Sequence, residues 1–384
     1  MSKSNETTPN VPTLRFAEYT NEWHIYALSD FVTRITRRNK NNESSLPLTI
    51  SAQYGLVDQI TFFNKTVASV DLSGYYLLYN GDFAYNKSYS NDYAWGAVKR
   101  LDKYEKGCLS SLYFVFRPTD KVDSDYLTHY FETNKWHKGI SDIAGEGARN
   151  HGLLNMAVDD YFATKHYLPS LSEQKKIACF LNLITKRIEI QNKIISKYET
   201  LIKGLCDILF TVTEENVLPL KSIASIDKGQ QINGLSLAKT GKYYYLNGGI
   251  TPSGYVDDYN TSENTIAISE GGNSCGFVSY NAQKFWSGGH CYTLKIKNTQ
   301  CRSKFLFFYL KYREKDIMQL RVGSGLPNIQ KKSLENFVVP LPTFEKQCYI
   351  ECILESITAK KEIETALLGQ FQSQKKFLLS KMFI

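Results

Sequence analysis

Residues 168–177 read LPSLSEQKKI, and residues 341–350 read LPTFEKQCYI. In both, a Leu-Pro pair leads through a polar turn to a glutamine at a constant offset, Pro169 to Gln174 and Pro342 to Gln347. Proline is tolerated at the start of a helix and blocks its extension backwards, so each stretch reads as a helix start. From Ile177, steps of four and three land on Leu181, Ile184, Ile188, Gln191, Ile195, Tyr198, Ile202, Leu205 and Leu209, apolar everywhere except Gln191. A seam sustained over about five heptads predicts a coiled coil rather than a helix lying on one small domain. From Ile350 the same steps land on Leu354, Ile357, Lys361, Glu364, Leu368, Phe371, Lys375, Leu378 and Met382. Three polar residues interrupt this second seam, which predicts looser or locally shifted packing. The two helices are expected to pair with one another.

Working outward, the match extends upstream. YLTHYF (126–131) corresponds to FLFFYL (305–310), GEGARN (145–150) to GSGLPN (323–328), and ALSDFV (27–32) to PLKSIA (219–224). Each copy runs opening segment, variable middle, G-x-G-x-x-N turn, short strand, proline, long helix. So long a period is a domain duplication, not a solenoid. The middles are unlike in sequence, yet both carry β-branched and aromatic runs bounded by turn residues, such as GYYLLYNGDFAYN (74–86), CLSSLYFVFR (108–117) and CYTLKIK (291–297). The expected class is α+β. A tail spans 1–22, a first α+β domain 23–165, a central spacer helix 166–211, a second α+β domain 212–335 and a C-terminal spacer helix 336–384. The helices form an antiparallel coiled-coil pair, and the whole is duplicated about a pseudo-twofold.

Bulk properties narrow the function. At 384 residues the chain exceeds one ordinary core, and its 46 basic against 38 acidic residues leave a net charge of +8, which favours a polyanionic partner. No apolar run is long enough to span a bilayer, and MSKSNETTPNVPTLRF has no apolar signal core, so a cytoplasmic protein without membrane contact is expected. The eight cysteines form no C-x-x-C and have no histidine cluster beside them, so no metal site is expected. Walker, H-E-x-x-H and G-x-S-x-G patterns are absent, and no catalytic residue is assigned. The glycine-rich SEGGNSCG (269–276) and LNGGITPSG (246–254) read as tight turns rather than phosphate cradles, and Glu173 as an acid suited to a helix N-terminus.

A recognition surface remains. TRITRRNKNN (33–42) offers Arg34, Arg37, Arg38 and Lys40, and the corresponding place in the second copy offers Lys228, Gln230, Gln231 and Asn233. Basic side chains neutralise phosphates, while Arg, Gln and Asn pair with base edges. The G-x-G-x-x-N turns add Arg149, Asn150 and Asn328 as candidate DNA contacts.

The chain resembles the specificity subunit of type I restriction-modification enzymes. The resemblance is carried by GEGARNHGLLN with YLPSLSEQKKIACFLNLITKRIEIQNKIISKYETLIKGL, and by GSGLPNIQKKSLENFVVPLPTFEKQCYIECIL with the terminal QKKFLLSKMF. It implies two target recognition domains, each reading one half of an asymmetric bipartite site in double-stranded DNA. The helices would act as a ruler; roughly 35 residues at about 1.5 Å each give about 50 Å. Two modification subunits would dock on the chain and methylate adenine with S-adenosylmethionine. Two restriction subunits can join and use ATP and Mg2+ to translocate and cleave DNA. The chain itself would bind no cofactor and be catalytically silent. Two other readings stand beside this one. One is a stand-alone nuclease or methyltransferase with an unrecognised site; the other is a coiled-coil scaffold with no DNA role.

Overall fold

The computed structural model describes residues 10–90, 92–145, 152–211, 216–234, 237–323, 325 and 327–384. Two compact units emerge, the first made of residues 1–190 with 368–384, the second of 191–367. Among the described residues, no helix is long and apolar enough to cross a membrane.

The first unit opens with β1 (His24–Ala27), α1 (Leu28–Phe31), β2 (Val32–Arg34), β3 (Leu48–Ser51), β4 (Gly55–Asp58), α2 (Gln59–Phe63) and β5 (Tyr76–Tyr79). It continues through β6 (Phe83–Asn86), β7 (Ala97–Arg100), β8 (Lys106–Leu109), β9 (Phe114–Pro118), α3 (Ser124–Tyr130), α4 (His137–Ile143), α5 (Val158–Ala163) and β10 (Lys165–Leu168) into α6 (Leu171–Leu209). Its main sheet is antiparallel in the order β2-β9-β6-β7, and β1 pairs with β10. Alternation along the strands buries both faces of this sheet. Phe83, Tyr85, Phe114 and Phe116 enter one core, with Phe83 stacked on Phe116 at 5.6 Å and Tyr85 on Tyr161 at 4.8 Å. Ala84 and Val115, between them in sequence, face a second core with Leu48, Leu56, Leu78 and Leu109.

The second unit contains β11 (Val217–Pro219), α7 (Leu220–Ile223), β12 (Ala224–Lys228), β13 (Tyr243–Leu246), β14 (Gly254–Val256), β15 (Thr265–Ser269), β16 (Val278–Asn281) and β17 (Trp286–Ser287). Then follow β18 (Cys291–Ile296), α8 (Ser303–Tyr312), α9 (Glu314–Gln319), β19 (Arg321–Val322), β20 (Asn328–Ile329), α10 (Lys331–Glu335), β21 (Val338–Pro340) and α11 (Phe344–Lys381). Its main sheet, β12-β18-β15-β16, repeats the connectivity of the first, and β11-β21 repeats β1-β10. The dissimilar middles therefore share a scaffold. The short α1 and α7 recur because Leu28 with Phe31, and Leu220 with Ile223, bury both apolar residues of one turn.

The repeated glutamine has a structural cause. Gln174 donates to the Pro169 carbonyl at 3.0 Å and accepts from the Asp123 N–H at 2.8 Å. Gln347 donates to the carbonyls of Pro342 and Gln300, both at 2.8 Å, and accepts from the Arg302 N–H at 2.9 Å. Asp123 and Arg302 are the N-cap residues of α3 and α8. Each buried amide thus fastens the first turn of a long helix to the head of a short one. Leaving such groups unpaired would cost about 1–3 kcal/mol each, which explains why spacing and residue type repeat together.

The seam residues divide between the two units. In the first unit Ile177, Leu181, Leu378 and Met382 are buried in one core, Ile184 is half-buried against it, Phe371 is buried, and Arg187 lies over the Phe371 ring at 4.1 Å. In the second, Ile350 and Leu354 are buried with Cys206, while Ile202, Leu205 and Leu209 pack on the same cluster. Ile188, Ile195, Tyr198, Ile357 and Leu368 are half-buried. The start of α6 meets the end of α11 in one unit and the end of α6 meets the start of α11 in the other, an antiparallel pairing. The polar interruptions are matched rather than loosened: Gln191 donates to Glu364, Lys361 lies 3.8 Å from Glu199, and Lys375 bonds Glu132 at 2.8 Å.

Residues within 10–22 are bonded to the first unit. Leu14 donates to the Lys381 carbonyl at 2.9 Å, and Arg15 grips Glu173 through two bonds of 2.7 and 2.8 Å. Glu173 is buried, so it is an ion-pair partner and not merely an acid complementing the helix dipole. Lys346 stands in its place in the second copy and is exposed.

Candidate nucleic-acid interface

In the first unit the basic stretch leaves the end of β2 and crosses the sheet edge. Arg37 donates through Nε to the Leu77 carbonyl at 3.1 Å and through Nη2 to Asp82 at 2.9 Å, with its guanidinium 4.2 Å over the Tyr79 ring. Asp82 is fully buried and takes a second guanidinium, the Nε of Arg117 at 2.6 Å, together with the Tyr79 N–H at 2.8 Å. The register explains the second pair: Phe83 opposes Phe116, so the next residues outward, Asp82 and Arg117, face each other on the opposite side of the sheet. One buried carboxylate thereby holds two half-exposed arginines in fixed poses with N–H groups to spare, a fork suited to phosphate or a base acceptor. Arg38 lies over Tyr76 at 4.3 Å and donates to Gly74 at 2.6 Å. Arg34 is exposed, 4.0 Å from Asp159, and Lys40 is exposed on a turn. Arg149 and Asn150 lie outside the described residues. Sequence reasoning missed Arg117 and Asp82; a charge closing the apolar alternation of FVFR was the available signal.

In the second unit, two candidates a hundred positions apart converge. Lys228, at the end of β12, and Asn328, in β20, line one cleft of about 650 Å³ with Asn247, Glu270 and His290. Lys228 Nζ lies 2.6 Å from Glu270 Oε1, the Tyr292 hydroxyl donates to the same oxygen at 3.1 Å, and His290 Nδ1 is 3.7 Å from Oε2. Burial, with the Glu270 charge beside it, pushes the Tyr292 phenol up, so it stays protonated and donates. Both glycine-rich loops are turns, as their composition implied, and both wall this cleft. Gly248 has φ +76°, and a Cβ there would come within 2.7 Å of the His290 carbonyl, so the wall closes only around glycine. Gln230 falls instead in a neighbouring cleft of about 420 Å³. Its backbone is tied to Ser287 and Trp286. Gln231 is exposed and bonds the Ile232 carbonyl; Asn233 is exposed.

Both units thus present basic groups fixed by acids on a shared scaffold, with different chemistry at each. The profile of the type I restriction modification DNA specificity domain matches residues 214–371, which contain the whole second cleft. Residues 214–371 thus match a type I restriction modification DNA specificity domain. A protein of Mycoplasma pneumoniae named as a type I specificity subunit is 36% identical over 123 residues, 32% of this chain and 32% of its own length. The matched part spans about a third to a half of the length of the first curated relatives. The S subunit of a type I restriction-modification system from M. genitalium has the same fold (TM-score 0.67, 19% identity, 97% of this chain and 99% of that one). So does a chain from a structure concerned with complex assembly and conformational transition of the type I system (TM-score 0.54, 17% identity, 94% and 97%). These likenesses support two α+β domains with long helices.

Proposed function

We propose that this chain reads DNA for a type I restriction-modification enzyme, each unit gripping one half of an asymmetric bipartite target. The observation that carries the reading is that two copies of one sheet scaffold hold different polar clusters, Arg37–Asp82–Arg117 in one and Lys228–Glu270–His290 in the other. A shared scaffold with unlike readers suits two unlike half-sites. The paired helices set the distance between half-sites, and the duplicated helix starts offer two similar surfaces to two copies of a modification subunit. Those subunits use S-adenosylmethionine to methylate adenine; restriction subunits, when joined, use ATP and Mg2+ to cleave. The chain supplies no catalytic group and works in the cytoplasm beside its DNA. Co-production with the modification subunit, followed by single-molecule sequencing of modified bases, should return one asymmetric motif with a fixed gap. The isolated chain should transfer no methyl group and cut nothing. A methylated motif that is continuous, or methyl transfer by the chain alone, would refute the reading.

A further inference from the structure

We propose that Glu270 is a specificity-determining residue, accepting a hydrogen bond from the exocyclic amino group of one base, cytosine N4 or adenine N6, in the half-site read by the second unit. This deepens the DNA-reading function and rests on it. The geometry divides the two oxygens of the carboxylate between two tasks. Oε1 is occupied twice, by Lys228 and by the Tyr292 hydroxyl, which fix its position. Oε2 accepts no hydrogen bond among the described residues and has His290 Nδ1 at 3.7 Å, and Glu270 lines the cleft. The backbone of Glu270 is pinned on both sides, its N–H to the His290 carbonyl at 2.9 Å and its carbonyl to the Ile329 N–H at 2.8 Å.

Glu270 lines this cleft with 11% of its side chain exposed. Gly272, next in the loop but one, has φ +76° and open space where a Cβ would stand, while Asn247 and Asn328 place amides on the walls. An ionised carboxylate accepts and never donates, so it repels phosphate and selects an amino group from among the base edges. Lys228 beside it supplies the positive charge that lets polyanionic DNA approach.

The test uses the full chain assembled with its modification subunits. Wild type and Glu270→Gln are compared on duplexes in which each adenine or cytosine of the second half-site is replaced, one at a time, by purine or 2-pyrimidinone respectively, which lack only the amino group. At one position wild-type binding should fall about tenfold or more, while Glu270→Gln should be nearly indifferent there and unchanged at first-half-site positions. Equal sensitivity of both proteins at every position would overturn the proposal, as would a uniform loss on all duplexes. If Glu270→Gln does not fold, Glu270→Asp, which keeps the charge but retracts the oxygen, replaces it and is judged by the same cycle. Failure of the wild-type complex to recognise any bipartite duplex would instead refute the DNA-reading function.

Discussion

At the scale of single residues, burial decides which charges are structural and which remain available. Asp82 is buried beneath Arg37 and Arg117, and each arginine keeps a half-exposed guanidinium. If these arginines face phosphate, Arg117→Ala should weaken DNA binding by the assembled enzyme and reduce the slope of log affinity against log salt by about one, titrated between low and moderate salt. An unchanged slope with a lowered melting temperature would mark Arg117 as a brace for Asp82 only. His166 poses a different question. It is buried between the Tyr130 hydroxyl at Nδ1 and Thr164 Oγ1 at Nε2, both 2.8 Å away. Thr164 Oγ1 already donates to the Tyr161 carbonyl, so it accepts from the ring, and the neutral Nε2–H form fits. Burial lowers the His166 pKa to about 4 from 6.5. The unfolded chain therefore binds the extra proton first as pH falls. Stability is full above about pH 6.5 and declines towards pH 4, by up to about 3 kcal/mol. Chemical denaturation of the first unit's aromatic signal at pH 7 and pH 5 checks this, and equal midpoints would contradict it.

At the scale of elements, the long helices show how polar residues survive in a seam. Gln191 in α6 meets Glu364 in α11, and both interrupt otherwise apolar heptads. A part-buried polar pair of this kind fixes register more than it adds stability. Changing Gln191 and Glu364 together to leucine should leave thermal stability equal or higher, while Glu364→Leu alone, which leaves the Gln191 amide only the residue-364 backbone carbonyl as acceptor, should lower it by about 1 kcal/mol. Calorimetry of the two variants separates the outcomes; a double variant less stable than the single would show the pair contributing more than leucine packing. The same logic of satisfied polar groups governs the helix starts, where Gln174 bonds two backbone groups and Gln347 three.

At the scale of the whole chain, the duplication was legible because its landmarks are local. Proline before a helix, glutamine one turn in, and apolar residues at steps of four and three are all constraints a few residues long. The α+β class followed from strand-like runs bounded by turn residues. What escaped notice depends on pairing between distant strands. Asp82 meets Arg117 only because β6 lies beside β9, and Glu270 meets Lys228 only because β15 and β12 flank β18. The common sheet order of two unlike middles was hidden for a related reason: alternation can be met by Phe and Tyr in one copy and Ile and Leu in the other. By itself the sequence determined that two similar halves exist, that each ends in a long seamed helix, and where the polar interruptions fall. Only tertiary structure decided which charges oppose one another, since contact across a sheet is set by strand order and register, and neither is written in residues near in the chain.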